Sequence, residues 1–512
     1  MSISKTIALK SGERSITHGG LQKLAAKAAN VLNQTGVARG DTIALLLRND
    51  FQYFILSEAG RYLGAGITPV NWHLTPSEVD YILKDCAASV LVVHSDLYSP
   101  ELRELCKDIT VWVEETPLEI ATAYQLPESA CELGPGDESL HDAVERAEPL
   151  DLEIDPPVPA LFYTSGTTGK PKAVVKNKIP PEAAKAIAAR SAFAFGLRDA
   201  PFRAVMTGPL YHSAPNAYAL YIVRLGGTLV LQPRFDALDL LSIIEQDEIT
   251  HLHMVPTMFQ RLLALNNTER KHYDLQSLQQ VVHGAAPCSP DVKERMIEWL
   301  GEVVGEYYAM TEVGIITCST SRQWLENRGT VGCAPAGVEI LIRDDDGNEC
   351  EVSTPGNICI RHEATHAFSY HNADGKADAM RQDNFVDTGD IGYLNENGFL
   401  FISDRKTDMV LSGGVNIYPA EVEAALTEIE KVRDSAVFGI PHPEFGEQLV
   451  AVLEADSGID TDKVQAILKQ KIAGYKVPRL WQVVDCLPRE DSGKVKKRIL
   501  KVDFLNMIES QE

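Results

Sequence analysis

Residues 164 to 172 read Thr-Ser-Gly-Thr-Thr-Gly-Lys-Pro-Lys, directly after the apolar run Ala160-Leu161-Phe162-Tyr163. Gly166 and Gly169 let the backbone turn tightly and expose its N–H groups. The hydroxyls of Thr164, Ser165, Thr167 and Thr168 add donors, and Lys170 and Lys172 add charge, so the segment suits a polyphosphate. It is not a Walker A loop. That pattern needs four residues between its glycines and Ser or Thr after the lysine, whereas two residues separate Gly166 from Gly169 and Pro171 follows Lys170. On composition alone an exposed flexible loop reads the same way. A competing chemistry is spelled by His362-Glu363-Ala364-Thr365-His366, which matches the HExxH signature of zinc peptidases. That signature works on a helix, where residues four apart share a face and both imidazoles reach one metal, yet here it follows the strand-like Gly356-Asn357-Ile358-Cys359-Ile360.

The nonapeptide resembles the phosphate loop of the adenylate-forming superfamily: acyl- and aryl-CoA synthetases, adenylation domains of peptide synthetases, and luciferases. Five further segments resemble that family's motifs, in its order. They are Pro209-Leu210-Tyr211-His212-Ser213 (the aromatic motif beside the acyl pocket), Tyr308-Ala309-Met310-Thr311-Glu312, Asp387-Thr388-Gly389-Asp390, Asp404-Arg405-Lys406-Thr407-Asp408 with Ser412-Gly413-Gly414 behind it, and Pro488-Arg489-Glu490-Asp491-Ser492-Gly493-Lys494-Val495. The resemblance implies an ATP-dependent ligase that makes an acyl-adenylate and then passes the acyl group to a thiol, that of coenzyme A.

The first step brings two anions together, a carboxylate and an α-phosphate, so charge must be neutralised at the reacting centre and magnesium must bridge the phosphates. By resemblance Lys494 bridges carboxylate and α-phosphate, Glu312 binds magnesium as a hard oxygen donor, and Thr311 bonds the phosphate. Asp390 has the chemistry to accept both ribose hydroxyls, with Arg405 donating beside it. Tyr308 offers a flat face to adenine, and Gly284, Ala285 and Ala286 match the loop on which that ring lies. The resemblance also implies that His212 is the gate between the nucleotide and acyl pockets, where a lone histidine would otherwise be read as a structural residue. His212, Asn216, His283, Ala309 and Met310 are expected to line the acid's pocket, a mixture that fits a medium- or long-chain fatty acid or a bulkier alicyclic or aryl acid. Gly413 and Gly414 are expected beside the pantetheine chain of coenzyme A, where a thin ligand passes close to backbone.

Two departures from the family pattern stand out. Ala309 occupies a position that is usually Gly, so its methyl group should intrude on the acyl pocket. Thr407 occupies the hinge position, where Asp or Lys is commoner. Within the superfamily the alternative is a stand-alone adenylation enzyme that loads a carrier protein. Amino-acid-activating members place an aspartate in the aromatic motif to pair the substrate ammonium, and here His212 stands there, between Tyr211 and Ser213. A luciferase-type oxidation would demand a special substrate.

These residues need a scaffold of more than one domain, because 512 residues exceed the size at which a single core keeps growing. Between Arg203 and Glu312 short apolar runs (RAVMTG, GGTLVLQ, THLHMV, LQQVVH) alternate with helical patterns, which predicts an α/β unit with a parallel sheet covered by helices. Ser289-Pro290 marks a helix start. Beyond Asp404 the pattern shifts to a small α+β unit; the family resemblance implies that residues 1–403 hold ATP and the acid and that 404–512 form a mobile lid. A formal charge of −24 argues against a nucleic-acid partner. From Lys469 to Lys501, however, ten basic residues stand against three acidic ones, a local surplus that could meet coenzyme A or serve as a solvated face. No apolar run is long enough to span a membrane, no signal sequence is evident, and the nine cysteines show no CxxC pair, so a cytoplasmic enzyme with no integral membrane contact is expected. A homodimer is compatible with the sequence, which does not fix the oligomeric state.

Overall fold

A computed structural model describes residues 3–151, 160–164, 172–176, 180–198, 201–363, 368–371, 376–412, 415–443, 445–455, 458–490 and 493–509. The apolar runs of the middle segment all become strands. Ile7–Ser11, Thr228–Leu231, Arg203–Met206, His251–Met254, Gln280–His283 and Val304–Met310 lie parallel in one sheet. Beyond Val304–Met310 the same sheet, 14-stranded among the described residues, continues antiparallel through Gly314–Ser319, Gly332–Cys333, Phe399–Arg405, Phe385–Leu394 and Gly356–Arg361. The sheet is therefore mixed, and Val304–Met310 sits where parallel gives way to antiparallel pairing.

A separate parallel sheet holds Gly66–Pro69, Thr42–Leu46, Ala88–His94 and Thr110–Glu114. Its runs are apolar on both faces because helices cover both. The helix Pro290–Leu300 starts as its sequence predicts: the Ser289 hydroxyl accepts from Val292 N–H and Pro290, which has no N–H to lose, takes the first turn. Core residues such as Leu9, Ala204, Met206 and Tyr218 form one fully buried cluster between sheet and helices.

The C-terminal unit has its own core, around Val422, Leu426, Val437, Leu449 and Leu468, under a sheet led by the long hairpin Val432–His442 and Gly446–Ala455. Helix Thr461–Lys471 ends at Lys471, and 474–476 form a short 3₁₀ turn. The expected unit boundary at 403/404 falls inside strand Phe399–Arg405, and the strands of the small unit begin at Val410–Ser412.

The HExxH reading does not survive. His362 and Glu363 follow strand Gly356–Arg361 directly and neither lies in a helix, and Glu363 is spent on Arg190 at 3.0 Å. His366 lies outside the described residues. No described helix is long and apolar enough to cross a membrane, and all nine cysteines are free thiols.

Asp404 couples the two units. It is the penultimate residue of strand Phe399–Arg405 in the large sheet, is buried, and its Oδ2 accepts the Ala420 N–H at 2.8 Å, at the start of helix Pro419–Thr427 of the small unit. Burial pushes its carboxyl up to about 6, against the Ala420 N–H and nearby Lys497. Folding therefore favours the protonated form: this contribution to stability is present in full below about pH 4 and is lost as pH rises through about 6, on the order of 3 kcal/mol in all. Asp404→Asn should flatten the stability profile across that window. Urea unfolding at a series of pH values would test this, and an unchanged slope would mean that the carboxyl titrates as if in water.

Candidate active site

The loop that carries His212 is held from behind by buried amides. Asn49, just past strand Thr42–Leu46, donates Nδ2 to Gly208 O at 2.9 Å and accepts the Leu210 N–H at 2.9 Å. Asn216 donates to Leu210 O at 3.0 Å and to the Tyr53 hydroxyl. Both side-chain amides are thereby bonded to the loop's own backbone, which fixes its path. His212 then caps helix Ser213–Arg224, tilted against Tyr211, which packs edge-on to Trp72. The Ser213 hydroxyl lies 3.3 Å from that of Thr311, which sets the His212 loop against the turn after strand Val304–Met310.

Side chains of that strand alternate between two cores, as a period of two requires. Tyr307 and Ala309 pack toward Phe195 and Tyr218, and Tyr308 and Met310 toward Phe368 and Ile360. The Tyr308 hydroxyl donates to Asp390 Oδ2, and Arg405, directly opposite Asp390 in the sheet register, places Nε 3.6 Å from Oδ1. Burial pushes the Asp390 carboxyl up, while the Tyr308 hydroxyl, Arg405 and Lys494 hold it down. Glu312 accepts the Tyr370 hydroxyl at 2.6 Å through Oε1.

Lys494 reaches this space from the small unit. Its turn is closed by bonds from Glu490 N–H to Lys494 O and from Gly493 N–H to Glu490 O, both 2.8 Å. Gly493 has φ +83°, and a methyl group there would come within 2.7 Å of the Thr257 hydroxyl oxygen on helix Pro256–Ala264, so the turn meets the large unit where only glycine fits. Partial loss of water and then Arg405 push the Lys494 ammonium below its ordinary range, and Glu490, Asp390 and Glu312 oppose them. The charges of Arg405, Asp390 and Glu312 thus act on Lys494 across the junction of the two units.

Other expected site residues divide. Gly284, Ala285 and Ala286 form the turn after strand Gln280–His283; Gly284 lies so near Tyr307 that a methyl group would meet its Cζ at 2.6 Å. Two residues expected in the acid's pocket are committed elsewhere. The Asn216 amide is used on Leu210 and Tyr53, and His283 is fully buried with Nε2 3.8 Å from Glu306. Lys172 and Thr164 are register partners at the ends of strands Lys172–Lys176 and Phe162–Thr164. Ser165, Gly166, Thr167, Thr168, Gly169 and Lys170 lie outside the described residues, as do Gly413 and Gly414. The basic surplus near the C-terminus is smaller than its sequence count: Lys471, Lys476, Arg489 and Lys497 are paired with Glu428, Glu421, Asp434 and Glu423 of the same unit. Asn49 and Tyr53 carried no sequence signal, since a single amide and a single phenol belong to no motif.

A two-unit α/β protein with these side chains gathered at the junction defines the adenylate-forming class. A family model described as AMP-binding enzyme matches residues 4–368, and one described as AMP-binding enzyme C-terminal domain matches 421–494. The chain belongs to this AMP-binding enzyme family, in its acyl-CoA synthetase branch. It is similar to a feruloyl-CoA synthase from an Amycolatopsis species, at 31% identity over 498 residues covering 96% of this chain and 94% of the relative. A long-chain-fatty-acid–CoA ligase of Bacillus subtilis is 29% identical over 497 residues, 93% of this chain and 88% of the relative. Among solved structures, ATP-bound MatB from Rhodopseudomonas palustris superposes with a TM-score of 0.83 at 26% identity, covering 98% and 97% of the two chains. The protein is an AMP-forming acid–thiol ligase, with ATP, a carboxylic acid and coenzyme A as its substrates.

Proposed function

We propose that this ligase adenylates a compact aryl or alicyclic carboxylic acid, with Glu312 holding magnesium, and that residues 1–403 bind ATP and the acid while 404–512 act as a moving lid. The observation that carries the acid class is the filling of space behind Ala309. Tyr307, on the same face of the strand, is 3% exposed and shares a 2.8 Å hydrogen bond with His253 Nε2. Burial pushes the His253 imidazole down to about 4, so the ring is neutral and the bond joins uncharged groups. Phe195 packs edge-on to both Tyr307 and Tyr218, at 5.4 and 5.6 Å. A long unbranched chain running inward would have to displace these interlocked rings, whereas a compact acid needs only the room in front of Ala309.

In this reading the acid's carboxylate oxygen bonds to the α-phosphorus and the α–β bridge breaks, releasing pyrophosphate; the thiol sulfur then bonds to the acyl carbon and AMP leaves. Lys494 stabilises the two anions that meet in the first step, and Thr311 bonds the phosphate. Asp390 and Arg405 hold the ribose, Tyr308 and the 284–286 turn flank adenine, and His212 stands between the two pockets. One carboxylate plus substrate phosphates is a common complement for magnesium, and Glu312, steadied by Tyr370, supplies that carboxylate. Bound magnesium would offset phosphate charge. Free thiols fit the reducing cytoplasm.

Pyrophosphate release across a panel of acids tests the acid class: phenylpropanoates and cyclohexyl acids should show the highest kcat/KM, and a maximum at palmitate would overturn it. Ala309→Gly should raise the ratio of large to small acids about tenfold, since a single methyl group in a packed pocket is worth roughly 1–3 kcal/mol. A uniform decline for every acid would mean that Ala309 does not line the acid's site.

A further inference from the structure

Beneath the 284–288 loop lies a pair of opposite charges that none of the chemistry above employs. Lys293 Nζ is 2.5 Å from Glu306 Oε2, and the two residues are 1% and 6% exposed. Lys293 belongs to the start of helix Pro290–Leu300, which follows the loop; Glu306 belongs to strand Val304–Met310, which also supplies Tyr308. His283, the last residue before the loop, brings Nε2 to 3.8 Å from the same Glu306 oxygen. Residues on both sides of the loop thus converge on one carboxylate. The Lys293 ammonium also sits 5.1 Å from the Trp324 ring centre, and Phe259 packs against the His283 ring at 5.1 Å.

An ion pair withdrawn from water stabilises a fold little better than an apolar pair of the same shape, so stability alone does not account for one here. The loop itself suggests what does. Ala285 is held at φ +68°, a left-handed conformation that disfavours a residue with a Cβ, and Gly284 is pressed against Tyr307. Such backbone persists only where its surroundings over-determine it, and an ion pair fixes direction as well as distance, which dispersion contacts do not.

We propose that Lys293 and Glu306, with His283 beside them, are positioning residues that hold the 284–288 loop in the shape that receives the adenine ring of ATP. The proposal rests on the reading of residues 284–286 as the surface under adenine. The pair touches no substrate and acts through the loop. Its loss should therefore be felt by the nucleotide and by the choice of base, and not by the acid.

The double variant Lys293→Met/Glu306→Leu removes both charges at similar volume without stranding either. It should melt near the wild-type temperature, yet raise the KM for ATP roughly tenfold and lower the preference for ATP over GTP by a similar factor, as a displaced binding surface would. The KM for the acid should not change. Glu306→Gln, which keeps shape and an acceptor for Lys293, should shift both nucleotide readouts in the same direction by less, and it carries the test if the double variant does not fold. Wild-type ATP affinity and base preference in either folded variant would overturn the proposal. Ala286→Leu separates the two readings. If it leaves ATP and GTP use untouched, the loop does not meet the base and the underlying assignment falls; if it alters them while the charge variants do not, only the positioning role falls.

Discussion

With Lys494 replaced by alanine, pyrophosphate release should fall by at least roughly 10²–10³-fold, the scale at which a single preorganised donor acts on developing charge. Transfer of a supplied acyl-adenylate to coenzyme A should meanwhile proceed at close to its normal rate. The asymmetry follows from where charge changes. In the first half-reaction a carboxylate approaches an α-phosphate and both are anionic; in the second the acyl carbon is attacked and AMP, already formed, departs. Lys494 is the cation that the small unit contributes to a space already holding Asp390, Glu312 and Arg405. Its turn is docked through Gly493 on Thr257, so the variant loses an ammonium group and keeps its docking. The ammonium's lowered pKa adds a pH test: because Lys494 must be protonated to act, the alkaline limb of the adenylation rate should lie below the usual lysine range. Equal loss of both half-reactions, with an intact melting profile, would remove Lys494 from the first step.

Much of the scaffold was legible because its signals are local. Ser289-Pro290 starts a helix by chemistry that two residues contain, and runs such as Gln280–His283 form strands without reference to anything distant. The candidate site could be drawn up for a different reason: Tyr308, Asp390, Arg405 and Lys494 each sit in a segment whose neighbours resemble a known motif, and the fold places these four near one another. Features that depend on partners far away in sequence could not be read. The surplus of positive charge from Lys469 to Lys501 lies in a stretch that does not contain Glu421, Glu423, Glu428 and Asp434, the carboxylates that pair with four of its members. Asn49 steadies the His212 loop from another sheet, and no periodicity announces a single amide. His283 was expected to face the acid, but a histidine at a strand end can point either way, and this one turns inward to Glu306.

Replacing Glu312 by glutamine should raise the magnesium concentration needed for half-maximal pyrophosphate release while leaving the acid's KM nearly unchanged. Removing even an outer partner of a metal ligand costs roughly 10–100-fold in affinity, and a direct ligand should cost at least as much. Glutamine is the discriminating choice because its shape is that of glutamate and its amide oxygen still accepts from the Tyr370 hydroxyl, which bonds Glu312 Oε1 at 2.6 Å. The fold around strand Val304–Met310 should therefore be kept and only the negative charge removed, and a hard cation responds chiefly to that charge. A second effect runs through Lys494. Glu312 is one of the carboxylates that hold the ammonium's pKa up against crowding and Arg405, so its neutralisation should move the alkaline limb of the adenylation profile to lower pH. Tyr370→Phe removes a donor but no charge, and should shift the magnesium requirement far less than Glu312→Gln. Calorimetric titration of magnesium–ATP into the two folded variants reads binding without turnover. If both bound it as the wild type does, with unaltered magnesium dependence of the rate, Glu312 would be a structural partner of Tyr370 and the metal would be held elsewhere.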